Sequence, residues 1–261
     1  MRSRLPLIIA HRGSSATTPE NTIAAFTKAL DDNADGIELD VRLARDGVPV
    51  VIHDATLGRT GLIDGAVAKM TSVELGKLDV GSWFKAKDNY ASEGVPSLEH
   101  VFQLVSDRAA DNFIVYIELK TDAKSSDDLV RSVADLINNY RFQHHVVLVS
   151  FDLPALKQTK LLDPSIRTGA LFAPRHGGGI GLRAERIVAL ALDCGADEIL
   201  LHRFIARPKL ISAAARANLP VVVWTVDDVA WLNRARDLGV HALITNDPAL
   251  LLTEVARTSR L

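Results

Sequence analysis

Short apolar runs rich in β-branched residues recur along this chain, and each is followed by a longer stretch with helical periodicity. That alternation belongs to βα units on a parallel sheet. Strands are expected at Leu7–His11, 36–41, 113–120, 146–151, Arg167–Phe172, Glu198–His202, 221–226 and Ala242–Thr245. Helices are expected at 20–33, 97–109, 127–140, Leu153–Leu162, 182–194, 208–217, 229–238 and 248–257. Eight strands alternating with eight helices is the arithmetic of a closed α/β barrel, and 261 residues is a fitting length for one.

One further apolar run, 48–54, follows the second strand after Asp46-Gly47. Asp-Gly between apolar runs is a strong hairpin signal, so this run is expected to return antiparallel to the second strand. A two-residue turn would pair Arg45 with Val48 and, further along the ladder, Asp40 with His53. Glu38, two residues from Asp40, shares its face, so Glu38, Asp40 and His53 are expected to cluster. From 55 to 96 the sequence becomes polar and glycine-punctuated, with one short helical piece at 72–78. We expect a single catalytic domain over 1–261, with 55–96 as an inserted lid above the mouth where βα loops emerge.

Composition excludes several classes. Thirty basic and 32 acidic residues nearly cancel to a formal charge of -2, so no overall field draws the chain to nucleic acid. Arg2 and Arg4 resemble the basic start of a signal peptide, but the apolar run after them stops at His11 and Arg12, too short for its core. No run approaches a membrane span, and a soluble cytoplasmic protein without integral membrane association is expected. Cys194, the single cysteine, has no intramolecular partner and reads as a buried structural thiol. Oligomeric state is not legible.

Several strands end in residues a core would not choose: His11-Arg12-Gly13, Glu38-Leu39-Asp40 and Glu118-Leu119-Lys120. At the C-terminal face of such a barrel these read as chemistry. Three crowded carboxylates stay ionised only with a cation among them. Their hard oxygens, with no thiolate available, favour Mg²⁺ or Ca²⁺, though a histidine could tip the site towards a transition metal. Arg12 and Lys120 beside it would attract a phosphate, and His11 and His53 suit general acid and base work.

These strings, together with Pro19-Glu20-Asn21-Thr22, His53-Asp54, Arg59-Thr60, Gly81-Ser82-Trp83-Phe84, Val95-Pro96-Ser97-Leu98, Ser150-Phe151 and Trp224-Thr225-Val226, resemble the glycerophosphodiester phosphodiesterase family over nearly the whole chain. The resemblance implies a TIM barrel with a small insertion after the second strand. It implies hydrolysis of glycerophosphodiesters to sn-glycerol 3-phosphate and an alcohol with a divalent cation. It places His11 and His53 as the acid/base pair, Glu38, Asp40 and Glu118 as metal ligands, and Arg12 and Lys120 as phosphate contacts. Phe151 and Trp224, with Phe172, stand at strand ends where an apolar rim is expected, and Glu20 and Asn21 read as support for the first loop. Two departures from the family's pattern, Gly61 after Arg59-Thr60 and Asn246 after Thr245, are expected to leave the metal and acid/base set untouched.

Of the remaining histidines, His100, His144, His145, His176 and His241 read as surface or supporting residues, and His202, before Arg203, is a lesser candidate to approach substrate. The glycines at 177–179 read as a flexible connection. Trp83-Phe84 reads equally as a cap on the mouth or as the insertion's own core. Rival readings are a barrel phosphodiesterase acting on lysophospholipids, a Schiff-base aldolase using Lys120, and a non-catalytic phosphate-binding barrel.

Overall fold

The computed structural model describes residues 5–61, 63–84, 90–121, 126–174 and 183–258. Arg2, Arg4, His176, the glycines at 177–179 and the expected helix start at 182 lie outside the described residues.

The strands are β1 (Leu7–His11), β2 (Gly36–Leu43), β3 (Pro49–Val51), β4 (Ile114–Leu119), β5 (Val146–Ser150), β6 (Arg167–Phe172), β7 (Glu198–His202), β8 (Val221–Trp224) and β9 (Ala242–Thr245). All except β3 pair in parallel, and β1 pairs with both β9 and β2, which closes the barrel. The fold is the expected TIM barrel, with β3 as an antiparallel appendage on β2. Helices α1 (Ile23–Asp31), α3 (Leu98–Arg108), α4 (Ser126–Tyr140), α5 (Leu153–Leu162), α6 (Ala184–Asp193), α7 (Pro208–Arg216), α8 (Ala230–Leu238) and α9 (Pro248–Thr258) follow the strands, and α2 (Ser72–Leu75) lies in the insertion.

The pleat sorts side chains into layers. Outward residues such as Ile37, Leu39, Val41 and Val115 meet the helices through Phe26, Leu98 and Phe102. Inward residues Ile9, Tyr116, Val147, Leu200 and Val222 fill the barrel axis. The insertion has its own small core: Leu57, Val67, Leu75, Val80 and Val95 pack on Val50 and Ile52. Trp83 and Phe84 lie outside that core and stack edge to face at 5.6 Å, with Phe84 against Tyr90. Cys194 is buried, as expected.

The hairpin corrects one expectation. β2 and β3 pair Val41 with Val51, Arg42 with Val50 and Leu43 with Pro49, one residue out of the anticipated register. The turn is a three-residue loop, Arg45-Asp46-Gly47, closed by Ala44 N–H on the Val48 carbonyl, with Gly47 at φ 76. A left-handed third position is what a three-residue hairpin requires, and glycine adopts it without the Cβ clash. Asp40 therefore stands beside Ile52, whose N–H it accepts at 2.9 Å, and not beside His53.

Candidate active site

Strand register assembles the site. His11 pairs with Glu38 across β1 and β2, and Asp40 pairs with Glu118 across β2 and β4. Paired residues share a face, so His11, Glu38, Asp40 and Glu118 all point into the barrel at the C-terminal end of its strands. His53 reaches the same cavity by another route than the ladder. β3 ends at Val51, the chain bends at His53, and Arg42 Nε donates to the His53 carbonyl at 2.8 Å. Leaving the strand frees His53 from the alternation that a shifted register would otherwise impose.

After β1 the chain turns tightly. Arg12 has φ 55 and Gly13 φ 80, and a Cβ on Gly13 would lie 2.5 Å from the Ala25 backbone, so α1 packs directly on this turn. The turn aims Arg12 N–H at Glu38 Oε2 (3.2 Å) and sets Arg12 Nε 3.0 Å from Asp40 Oδ2. Lys120 Nζ lies 3.0 Å from Asp40 Oδ1 and 2.6 Å from Glu118 Oε1. Asn21, itself at φ 58, donates to Asp40 Oδ2 at 2.8 Å.

Glu38, Asp40 and Glu118 are buried and each offers an oxygen within 4.8 Å of the others. Burial, then Asp40 and Glu118, push the Glu38 carboxyl well up. Burial raises Glu118 to about 7, against the pull of Lys120. Burial opposes ionisation of Asp40 too, but Arg12 and Lys120 outweigh it and hold that carboxyl well below the usual range. Arg12 and Lys120 together do not offset the crowding of the three acids in this low-dielectric site, since Glu38 and Glu118 stay raised beside them. An all-oxygen set with carboxyls forced upward is what a hard divalent cation relieves, so these residues fit one.

The histidines differ in their partners. His11 Nδ1 lies 2.7 Å from Asn246 Oδ1, and burial followed by Arg12 pushes His11 down to about 4. His53 Nδ1 lies 2.6 Å from Asp54 Oδ1, and burial also lowers His53 while Asp40 opposes it. Asp54 in turn accepts Arg59 Nε at 2.6 Å, Arg59 donates to both Glu20 oxygens, and Glu20 accepts Arg12 Nη1 at 2.8 Å. One charged chain thus ties the first loop to the insertion.

A cavity of about 480 Å³ opens over these groups. Its wall includes His11, Arg12, Glu38, His53, Glu118 and Lys120 on one side. Phe151 and Trp224, edge to face at 5.8 Å, stand on the other with Leu171, Leu200 and Ile244. Every candidate site residue is thus brought together, Asp40 lying fully buried behind the wall. His202 packs edge to face on Trp224 at 5.1 Å instead of lining the cavity. Lys120 is held as an ammonium: burial opposes the charge, but Asp40 and Glu118 overcome it and raise its pKa, which weighs against a Schiff-base role.

One of the two departures, Asn246, does touch the site, contrary to expectation. Asn246 is the partner of His11, whereas Gly61 N–H bonds back to the Leu57 carbonyl and the partner of Asp54 and Glu20 is Arg59, which follows the family's pattern. The His11–Asn246 and Arg59–Glu20 contacts join residues far apart in sequence, beyond the reach of local spacing. Arg42 also lines the cavity and is missing from the sequence-derived set, although alternation from Glu38 and Asp40 puts it on their face.

Residues 11–250 match the sequence model of the glycerophosphoryl diester phosphodiesterase family. The chain is 36% identical over 253 residues to a glycerophosphodiester phosphodiesterase of Caldanaerobacter subterraneus subsp. tengcongensis, covering 96% of this chain and 98% of that one. An Oleispira antarctica phosphodiesterase, solved with its product sn-glycerol-3-phosphate, superposes with a TM-score of 0.82 at 27% identity, covering 97% of each chain. A glycerophosphodiester phosphodiesterase from Agrobacterium tumefaciens superposes with a TM-score of 0.79 at 31% identity, covering 95% of this chain and 100% of that one.

Proposed function

This chain belongs to the glycerophosphoryl diester phosphodiesterase family, and from that premise we propose that it hydrolyses glycerophosphodiesters to sn-glycerol 3-phosphate and an alcohol, with a divalent cation at Glu38, Asp40 and Glu118. The observation that carries this reading is the convergence, at one barrel mouth, of three buried carboxylates, two cations and two histidines. Mg²⁺ or Ca²⁺ suits the oxygen ligands, and when bound it supplies charge neutralisation for a phosphoryl oxygen.

The protein's own groups do the rest. Arg12, oriented by Glu20 and Asp40, and Lys120, oriented by Asp40 and Glu118, give the charged wall positive groups to meet the diester. One histidine takes the proton of the attacking hydroxyl and the other returns one to the leaving alcohol, each held through Nδ1 with Nε2 left for chemistry. The nucleophile is water or the glycerol 2-hydroxyl, and turnover of a diester lacking that hydroxyl separates the two. Phe151 and Trp224 contact the carbon skeleton of one alcohol.

The test is chelation followed by assay of glycerophosphocholine and related diesters with Mg²⁺, Ca²⁺ or Mn²⁺ restored singly. Metal-dependent release of glycerol 3-phosphate is expected, and its absence overturns the reading. The apolar wall of Leu171, Leu200 and Ile244 favours a second reading, turnover of lysophospholipids, which the same assay decides with lysophosphatidylcholine as substrate.

A further inference from the structure

We propose that Asn246 and Asp227 form a positioning relay that fixes His11 as its Nδ1–H tautomer, leaving Nε2 as the bare nitrogen that faces the cavity. The inference rests on the reading of His11 as an acid/base residue, but its evidence is the direction of each hydrogen bond.

Asp227 lies in the loop after β8 and Asn246 directly after β9. Asp227 Oδ1 accepts the Asn246 backbone N–H at 2.8 Å and the Thr245 hydroxyl at 3.0 Å. Its Oδ2 lies 2.7 Å from the Asn246 side-chain amide. A carboxylate has no hydrogen to give, so the amide must turn its NH₂ towards Asp227 and its oxygen away. The Asn246 carbonyl also accepts Ala16 N–H at 2.9 Å, so the backbone is pinned on both sides of the side chain. The outward oxygen, Oδ1, meets His11 Nδ1 at 2.7 Å. An amide oxygen can only accept, so Nδ1 must carry hydrogen. The ring's other nitrogen, Nε2, then keeps its lone pair on the neutral imidazole and lies on the Glu38 side, 3.8 Å from Oε2. Ser15 donates to the His11 carbonyl at 2.7 Å, holding the strand end from which the ring projects. Charge at Asp227, two bonds removed from His11, thus selects which nitrogen is free.

The relay predicts an outcome that packing alone does not. Asp227→Asn is isosteric and does not touch His11. It can offer NH₂ to Asn246, whose amide then turns over and presents its own NH₂ to Nδ1. The ring must answer with the Nε2–H tautomer, which puts hydrogen on the working nitrogen. We expect kcat to fall by about 10²-fold or more with KM within about twofold, the size of a lost acid/base contribution. Asn246→Leu should fall similarly. The double variant Asp227→Asn with Asn246→Asp restores a donor facing an acceptor and an acceptor facing Nδ1–H, and should recover most of the kcat lost by D227N.

Ring ¹⁵N shifts of His11, read by long-range ¹H–¹⁵N correlation, report the tautomer without turnover. Nδ1–H in the natural chain, Nε2–H in D227N and Nδ1–H again in the double variant support the relay. Nε2–H in the natural chain, an unchanged tautomer in D227N, or D227N activity within twofold overturns it. Full activity in His11→Ala would instead remove the acid/base reading, while the tautomer measurement would still judge the relay.

Discussion

The barrel axis carries a buried polar cluster at each end, and the two use the same residue types to opposite effect. At the mouth, three carboxylates share Arg12 and Lys120 under an open cavity. At the floor, Glu198 on β7 accepts the Tyr116 hydroxyl at 2.9 Å and lies 3.8 Å from Arg167 Nη1. Burial raises Glu198 as it raises Glu38, but at the floor a single buried acid is opposed by His241, the Tyr116 hydroxyl and the Arg167 guanidinium. Its partners Tyr116 and Arg167 both belong to the barrel wall, and its hydrogen bond with Tyr116 closes a plug. At the mouth Glu38 and Glu118 stay pushed up even beside Arg12 and Lys120, and the cluster opens on a cavity. A crowding of acids that a ligand can relieve, and not polarity in itself, separates a working site from a structural one.

The sharpest way to break this contrast is to remove one acid from the mouth. Glu38→Ala or Glu118→Ala should lower kcat/KM by about 10³-fold or more, the loss of several kcal/mol of charge stabilisation. Thermal melts without metal should be unchanged or higher, because a crowded buried charge has gone. A variant that lost stability and kept activity would make the mouth a second plug.

Proton uptake gives the next effect. With Glu118 raised to about 7 in the folded state, its contribution to stability without metal is fully present below the ordinary carboxylate range and is lost as pH rises through about 7. Melting curves with a chelator should therefore fall in that window, and Mg²⁺ should abolish the fall by compensating the ionised form. Metal affinity, followed by calorimetry in buffers of different ionisation enthalpy, should weaken as pH drops through the same range, with protons released on binding.

At the floor, Tyr116→Phe removes the hydroxyl from buried Glu198 and should cost about 1–3 kcal/mol in denaturant unfolding while leaving kcat and KM alone. A clear change in activity would show the floor coupled to the mouth. The smallest effect is expected at Arg45, which meets Glu74 at 3.2 Å on the exposed rim. Arg45→Ala should change stability by less than about 1 kcal/mol and activity not at all, as for exposed pairs generally.

The barrel and most of its site were legible because both follow local rules. Period-2 alternation put Glu38 with Asp40 on one face, strand-end position marked His11 and Glu118, and apolar spacing supplied the strand count. The hairpin shows the edge of that reasoning. Asp46-Gly47 marked the turn correctly, but loop length was settled by Gly47 adopting φ 76 as a third loop residue, which shifted the register by one. His53 still joined the cluster because the strand ended before its alternation applied.

What sequence by itself determined is the set of groups at the mouth, since strand periodicity decides which side chains face the axis. Their states were decided only in three dimensions. Asn246, Asp54, Glu20 and Arg59 set which nitrogen of each histidine is free and where Arg12 points. Those partners come from loops after different strands and from the insertion. Asp54 is the neighbour of His53 in sequence, but Asn246 meets His11 only because barrel closure brings β1 beside β9, a contact between residues more than 200 positions apart that no local pattern encodes.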